Sequence, residues 1–380
     1  MNHQSVVEFI KSKFPGQDFI PLHVPTFIGN EKNYVLDTIE STIVSSVGAY
    51  VNKFEEGISK RSNTKKGIAV VNGTAALQMA LTLAGVKQGE EVITQALTFV
   101  ATANSVLYCG AVPVFVDVDK ETMGLSANAL ETFLSEYGDK REEGTFNKKS
   151  GKRIAACLPM HTFGFMTQIE EIIRICNLWN IAVVEDAAEA LGSTYNGKQA
   201  GSFGLLGAFS FNGNKTITCG GGGAIVTNDV DLGKRGKHLT TTAKIPHSWE
   251  YNHDELGYNF RMPNINAALA CAQLEQFDKL LDSKKQLFDE YNEYCSKNGL
   301  KLRQPPKNST SNNWLMCLEL ESVKERDDFL KFTNENGVMS RPIWKLMYKL
   351  PMYSHCYRDD QANAQYFEER IVNIPSSARL

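Results

Sequence analysis

Residues 153–186 read RIAACLPMHTFGFMTQIEEIIRICNLWNIAVVED. A short apolar run (RIAACLPM, 153–160) leads to a stretch with helical spacing (QIEEIIRICNLWN, 168–180) and then to a second apolar run (IAVVED, 181–186). Neither run alternates with polar residues, so each predicts a strand buried on both faces, with the intervening helix covering one of them. The same rhythm extends in both directions. GIAVV (67–71), EEVITQ (90–95), VPVFVDVD (112–119), AFSF (208–211) and GAIVT (223–227) are further strand candidates. TAALQMALTLAG (74–85) and TFVATANSVLYCG (98–110) have helical spacing. Such alternation predicts an α/β fold whose sheet is largely parallel, with ligands bound beyond the carboxyl ends of the strands.

After about residue 245 the pattern changes. NINAALACAQLEQFDKLLDSKKQLFDEYNEYCSKNG (264–299) reads as one long helix or a pair, NWLMCLEL (313–320) as a strand and RDDFLKFTNENG (326–337) as a helix closed by glycine. The expected organisation is an N-terminal helical segment (1–21), a large domain (22–245) and a smaller C-terminal α/β domain (246–380). A chain of 380 residues is long enough for both domains.

Composition narrows the classes of function. Net charge is −3, and the densest cationic run, KKSGKR (148–153), sits among acids, which predicts a solvated loop and no nucleic-acid partner. No apolar stretch approaches the ~20 residues of a membrane helix, and the N-terminal sequence lacks a signal-peptide pattern. The eight cysteines form no C-x-x-C pair and lie mostly in apolar segments, as reduced core thiols do, so a cytoplasmic location is expected. The histidines show no metal-ligand spacing, and no metal is expected.

Three strand ends carry the chemistry. In VVNGTAAL (70–77) a strand ends and Gly73 and Thr74 open a helix, whose free amides suit a phosphate. IAVVED delivers Asp186 to a strand end, where a buried acid needs a cationic partner such as a protonated ring nitrogen. FSFNGNKTITCGGGG (209–223) places Lys215 before four glycines. A P-loop has its glycines first and a helix after them, so this order excludes one. Each feature alone also has an ordinary reading: a capped helix, an N-cap acid and a surface lysine. Together they are the three anchors that pyridoxal phosphate requires, namely amides for its phosphate, an acid for its pyridinium and an amine for its Schiff base.

VNGTAAL, TFVATAN, PMHTFG, VVEDAAEALGS, SFNGNK, GGGGAIVTN and GYNFRMPNINAALACAQL resemble, in order and nearly end to end, the DegT-type sugar aminotransferases among the fold-type I pyridoxal-phosphate enzymes. PLHVPTFIGNEKNY, SSVGAYVNKFEE, HLTTTAKIPHSWEY, RPIWKLMYKLPMY and VNIPSS resemble the LegC-like subgroup, which aminates the 4-keto group of a UDP-linked 6-deoxy-N-acetylhexosamine on routes to bacillosamine or legionaminic acid. The resemblance implies catalytic roles for Lys215, as the Schiff-base lysine, and for Asp186, as the partner of the pyridine nitrogen. It places Glu189 beside the ring hydroxyl, Gly73, Thr74 and Ser210 on the phosphate, and Phe99 stacked on the ring. Asn259 matches an asparagine supplied by the neighbouring subunit, which implies a homodimer with a shared active site. His161, Arg341 and Trp344 are candidates for substrate contact, while Tyr348, Tyr353 and Tyr357 are read as packing. L-glutamate is the implied amino donor and a keto sugar nucleotide the acceptor. A GDP- or dTDP-linked keto sugar, or a keto eight-carbon sugar acid of the 8-amino-3,8-dideoxy-octulosonate type, is the alternative acceptor. A sugar 3-dehydratase on the same fold is disfavoured because those relatives carry histidine where this chain has Lys215. A non-catalytic nucleotide-binding module is disfavoured because GSFGLLG (201–207) does not lie between a strand and a helix as a dinucleotide fingerprint must.

Overall fold

The computed structural model describes residues 2–380. Its centre is a seven-stranded sheet in the order Lys66–Val70, Gly223–Thr227, Leu206–Ser210, Ala182–Asp186, Ile154–Leu158, Glu91–Gln95 and Val112–Val116. Five of these strands, from Leu206–Ser210 to Val112–Val116, pair in parallel. Gly223–Thr227 is antiparallel to both of its neighbours, so six strands run one way and one is reversed. The two faces of this sheet are covered by separate apolar cores, one around Phe54, Ile93, Phe209 and Phe211 and the other around Ile68, Leu77, Val92 and Val184. Coverage on both faces is why the strands read as unbroken apolar runs.

The helix Gly73–Leu83 begins where Asn72 accepts a hydrogen bond from the amide of Ala75 at 2.8 Å. That cap, together with the Asn72 carbonyl bonded to Ala76, leaves the first amides of the helix free for a ligand. Because six strands share a direction, the segments after Val70, Gln95, Leu158, Asp186 and Ser210 gather along a single edge of the sheet.

A second, four-stranded antiparallel sheet has the order Lys301–Leu302, Met316–Glu319, Ile371–Ile374 and Arg341–Pro342. The N-terminal helix His3–Lys13 packs on this sheet's core through Val6, Val7 and Ile10, and His3 meets Phe329 edge-on at 5.6 Å. The apolar stretch 264–299 forms a pair of helices, Asn264–Glu275 and Phe277–Lys297. Ala267, Cys271, Phe277 and Leu280 belong to the core of the large sheet, whereas Leu287, Phe288, Tyr291 and Cys295 belong to the core of the small one. A boundary at 245/246 would part the first of these helices from the core it fills. We propose that the two units divide inside Phe277–Lys297.

No helix among the described residues is long and apolar enough to cross a membrane.

Candidate active site

A cavity of about 690 Å³ lies between the carboxyl edge of the large sheet and the strand Arg341–Pro342 of the small one. Thr74, Phe99, Asp186, Glu189, Ser210 and Lys215 line its inner part, and Arg341, Trp344 and Lys345 line it from the small sheet. Strand ends 100 and more residues apart in sequence thus converge on one space.

Asp186 is 2% exposed. Its carboxylate accepts hydrogen bonds from the Thr102 hydroxyl (2.7 Å) and the Ala188 amide (3.2 Å). Burial pushes the carboxyl above its ordinary range, and those two donors pull it part of the way back. No ion pair reaches Asp186 among the described residues. A buried acid in this state can accept a ligand cation from the cavity.

Glu189 is also buried, and burial lifts its carboxyl to about 7, with nearby Lys215 drawing it back down. One carboxylate oxygen accepts from the Phe163 amide at 2.9 Å, and the other lies 3.4 Å from Lys215 Nζ. Lys215 sits in the turn after Leu206–Ser210, where its own amide bonds to the Asn212 carbonyl at 3.0 Å. Its ammonium also lies 3.7 Å from the ring centre of Trp314. The sequence marks Trp314 only as part of a strand, because nothing in NWLMCLEL signals that its ring crosses over to the large sheet.

At the start of the helix Gly73–Leu83, a Cβ placed on Gly73 would come within 2.7 Å of the Ser210 Cβ, so only glycine lets the helix start approach that hydroxyl. Phe99 precedes the helix Val100–Tyr108 and stays 48% exposed, leaving its ring face open to the cavity. Trp344 packs at 4.7 Å on Phe163 and at 6.4 Å edge-on to Phe99, so it both ties the small sheet down and lines the cavity. Free amides, a hydroxyl, a buried acid lacking a cation and an amine in one cavity are a donor set that fits pyridoxal phosphate.

Two sequence candidates lie outside this group. His161 does not line the cavity: its ring is fully buried, with Nε2 at 3.0 Å from Glu185 and Nδ1 accepting from the Thr167 amide at 3.2 Å. Both ring nitrogens are therefore spent on holding the loop after Ile154–Leu158. Asn259 is exposed and accepts from Arg261 Nε at 3.0 Å, away from the cavity of its own chain. Tyr348, Tyr353 and Tyr357 do not line the cavity, and Tyr357 packs on Phe133 and Tyr137 at 5.4 and 5.6 Å.

Comparison with known proteins bears on this geometry. The family model of the DegT/DnrJ/EryC1/StrS aminotransferases matches residues 25–380. The putative pyridoxal phosphate-dependent aminotransferase EpsN of Bacillus subtilis is 35% identical, with 95% of this chain and 92% of that protein aligned. GDP-perosamine synthase of Caulobacter vibrioides is 36% identical, over 95% of this chain and 94% of its own. Among solved structures, a DegT DnrJ EryC1 StrS aminotransferase from Brucella abortus superposes with a TM-score of 0.83 at 26% identity, covering 91% of this chain and 90% of that one.

Proposed function

This chain belongs to the DegT/DnrJ/EryC1/StrS aminotransferase family and is a pyridoxal-phosphate-dependent sugar aminotransferase, and from that premise we propose that the cavity moves the amino group of L-glutamate to the 4-keto carbon of a nucleotide-linked deoxy sugar. The observation that carries this is the placement of Lys215 Nζ within 3.4 Å of Glu189, in the same cavity as the buried Asp186.

When bound, pyridoxal phosphate supplies a ring that withdraws electrons from the amine-bearing carbon, so that the proton there can be removed. The chain's own residues do the rest. The amides of Gly73 and Thr74 and the hydroxyl of Ser210 would bind the phosphate, and Phe99 would cover one face of the ring. Asp186, held by Thr102 and Ala188, would supply a negative charge to the ring nitrogen and so favour its protonation. Lys215 would hold the cofactor through its Nζ and, when released from it, would move a proton with the same atom. Glu189, lifted by burial to about 7, is placed to exchange a proton with Lys215 and would meet the ring hydroxyl. Arg341 and Trp344, at the small-sheet side, meet the sugar nucleotide.

The shared site of a homodimer is part of this reading. Asn259 of each chain would reach the phosphate of the other. The segment around it exposes Trp249 (76%), Tyr251 (79%) and Leu256 (81%), side chains that a second copy would cover.

The acceptor we favour is UDP-linked 4-keto-6-deoxy-N-acetylhexosamine, on the strength of the subgroup segments in the sequence. A GDP-linked keto sugar is the second reading, favoured by relatives named GDP-perosamine synthase at 35% and 36% identity. The test is a two-step absorbance experiment on protein loaded with pyridoxal phosphate. L-glutamate should bleach the yellow band, and the UDP-linked keto sugar should restore it. Restoration by the GDP-linked sugar alone would transfer the assignment to the second reading. A band that L-glutamate leaves untouched would refute glutamate as the donor.

A further inference from the structure

The segment 312–314 belongs to the small sheet's side of the molecule, yet it is bonded almost entirely to the catalytic loops of the large sheet. Asn312 donates to the carbonyls of Glu189 (2.8 Å) and Leu191 (3.0 Å), and its own Oδ1 accepts from the Trp314 amide at 2.9 Å. The indole Nε1 of Trp314 donates at 2.6 Å to the carbonyl of Asn214, the residue that immediately precedes Lys215. The Trp314 carbonyl accepts from Lys284 at 3.2 Å. Gly164 leaves the space for this arrangement: at φ +92° it passes so close to Asn312 that a Cβ would lie 2.1 Å from Oδ1. Trp314 is thus fixed at its amide, its carbonyl and its indole nitrogen, and it is 4% exposed. Its ring centre lies 3.7 Å from Lys215 Nζ.

An amine that must alternate between a bond to the cofactor and freedom needs a place to wait. Open solvent would let the long side chain wander, and a second strong hydrogen-bond acceptor would compete for the protons it has to move. An aromatic face attracts an ammonium without occupying its donors in fixed directions, and tryptophan is the strongest of the aromatic faces. We propose that Trp314 is a positioning residue for Lys215: its indole face, together with the Glu189 carboxylate, is where the Lys215 ammonium rests whenever it is not bonded to the cofactor. This rests on the assignment of Lys215 as the cofactor-bonding residue and adds the device that keeps it within reach.

The test separates binding from capture. Pyridoxamine phosphate has no aldehyde, so its affinity for the apoprotein measures the cavity without the lysine bond. The yellow band that grows after mixing apoprotein with pyridoxal phosphate measures capture. In capture a C=N bond forms between Nζ and the aldehyde carbon. The aldehyde oxygen leaves as water with two of the ammonium protons, and the third proton and the positive charge stay on nitrogen. In Trp314→Leu, capture should slow about tenfold while pyridoxamine phosphate affinity stays within about twofold, and Trp314→Phe, which keeps a weaker ring, should slow capture about threefold. Should the leucine variant fail to fold, the phenylalanine variant decides by the same two readings. Wild-type capture rates in the variants, or affinity falling in step with capture, would overturn the proposal. Capture that is missing in the wild type, or that survives in Lys215→Ala, would instead overturn the assignment of Lys215.

Discussion

Lys215 and Lys284 are both withdrawn from solvent, and their surroundings differ in kind. Lys215 lies in a turn at the carboxyl edge of the large sheet, with the Glu189 carboxylate 3.4 Å away and a cavity beside it. Lys284 lies in the helix Phe277–Lys297, 1% exposed, and its Nζ donates to the backbone carbonyls of Trp314 and Ser376. No carboxylate pairs with Lys284 among the described residues, and burial pulls its amine down to about 7. Backbone carbonyls accept hydrogen bonds but take up no proton, so Lys284 works as a clamp between the C-terminal segment and Trp314. Lys215 has a partner that can exchange a proton and a space that admits a substrate. A displaced pKa alone would have chosen the clamp, and the cavity chooses the other lysine.

The largest test of this contrast removes each amine in turn. Lys215→Ala should lower turnover by about a thousandfold or more, the scale of deleting a covalent catalytic group, with an unchanged melting temperature. Lys284→Met should do the opposite, keeping turnover within a few-fold while altering stability. Steady-state kinetics and thermal melts on both variants check this, and an active Lys215→Ala enzyme would break the contrast. Asp186→Asn comes next. The amide keeps an oxygen for Thr102 but loses the charge that serves the ring nitrogen, and kcat should fall about a hundredfold. An Asn variant as fast as the wild type would mean that the buried acid is structural. Glu189→Gln retains an acceptor for the Phe163 amide and removes only the charge beside Lys215, so the glutamate half-reaction should slow by about tenfold or less.

How much of this could be read from the sequence follows the same division. Lys215, Asp186 and Gly73 stand at the ends of apolar runs, and position at a strand end is a local property of the text. The direction of a strand is not: GAIVT was legible as a strand, but nothing in those five residues says that Gly223–Thr227 runs against its neighbours. Lys284 was illegible because DSKKQLFDEY has the polar spacing of an exposed helix face. It is buried where its Nζ meets the carbonyls of Trp314 and of Ser376, 92 residues further along. The helix Glu31–Glu40 was missed for a related reason. It buries Glu31 and Thr38 and exposes Leu36 (50%) and Ile39 (54%), which inverts the pattern that marks an amphipathic helix. His161 shows the converse error. Its block, PMHTFG, belongs to the site in the resemblance, yet the fold turns the ring away from the cavity and onto Glu185.

The last test is of stability rather than turnover, and it probes the clamp most directly, because its sign depends on pH. The folded state holds Lys284 at about 7, against an ordinary value of 10.5 that the unfolded chain keeps. Between those two values the unfolded chain binds a proton that the folded protein refuses, so stability from this group is present above 10.5 and is lost as pH falls toward 7. Lys284→Met has no such group. At alkaline pH the variant should be the less stable protein, since the carbonyls of Trp314 and Ser376 lose their donor at about 1–3 kcal/mol. As pH falls, the wild type should give up its advantage at up to about 1.4 kcal/mol per pH unit, so that near neutrality the variant equals or exceeds it. Denaturant midpoints of the two apoproteins from about pH 7 to about pH 10 measure the convergence. Parallel curves would mean that the Lys284 ammonium finds solvent when it is protonated. The clamp would then be an ordinary amphipathic lysine, and the contrast with Lys215 would rest on the cavity alone.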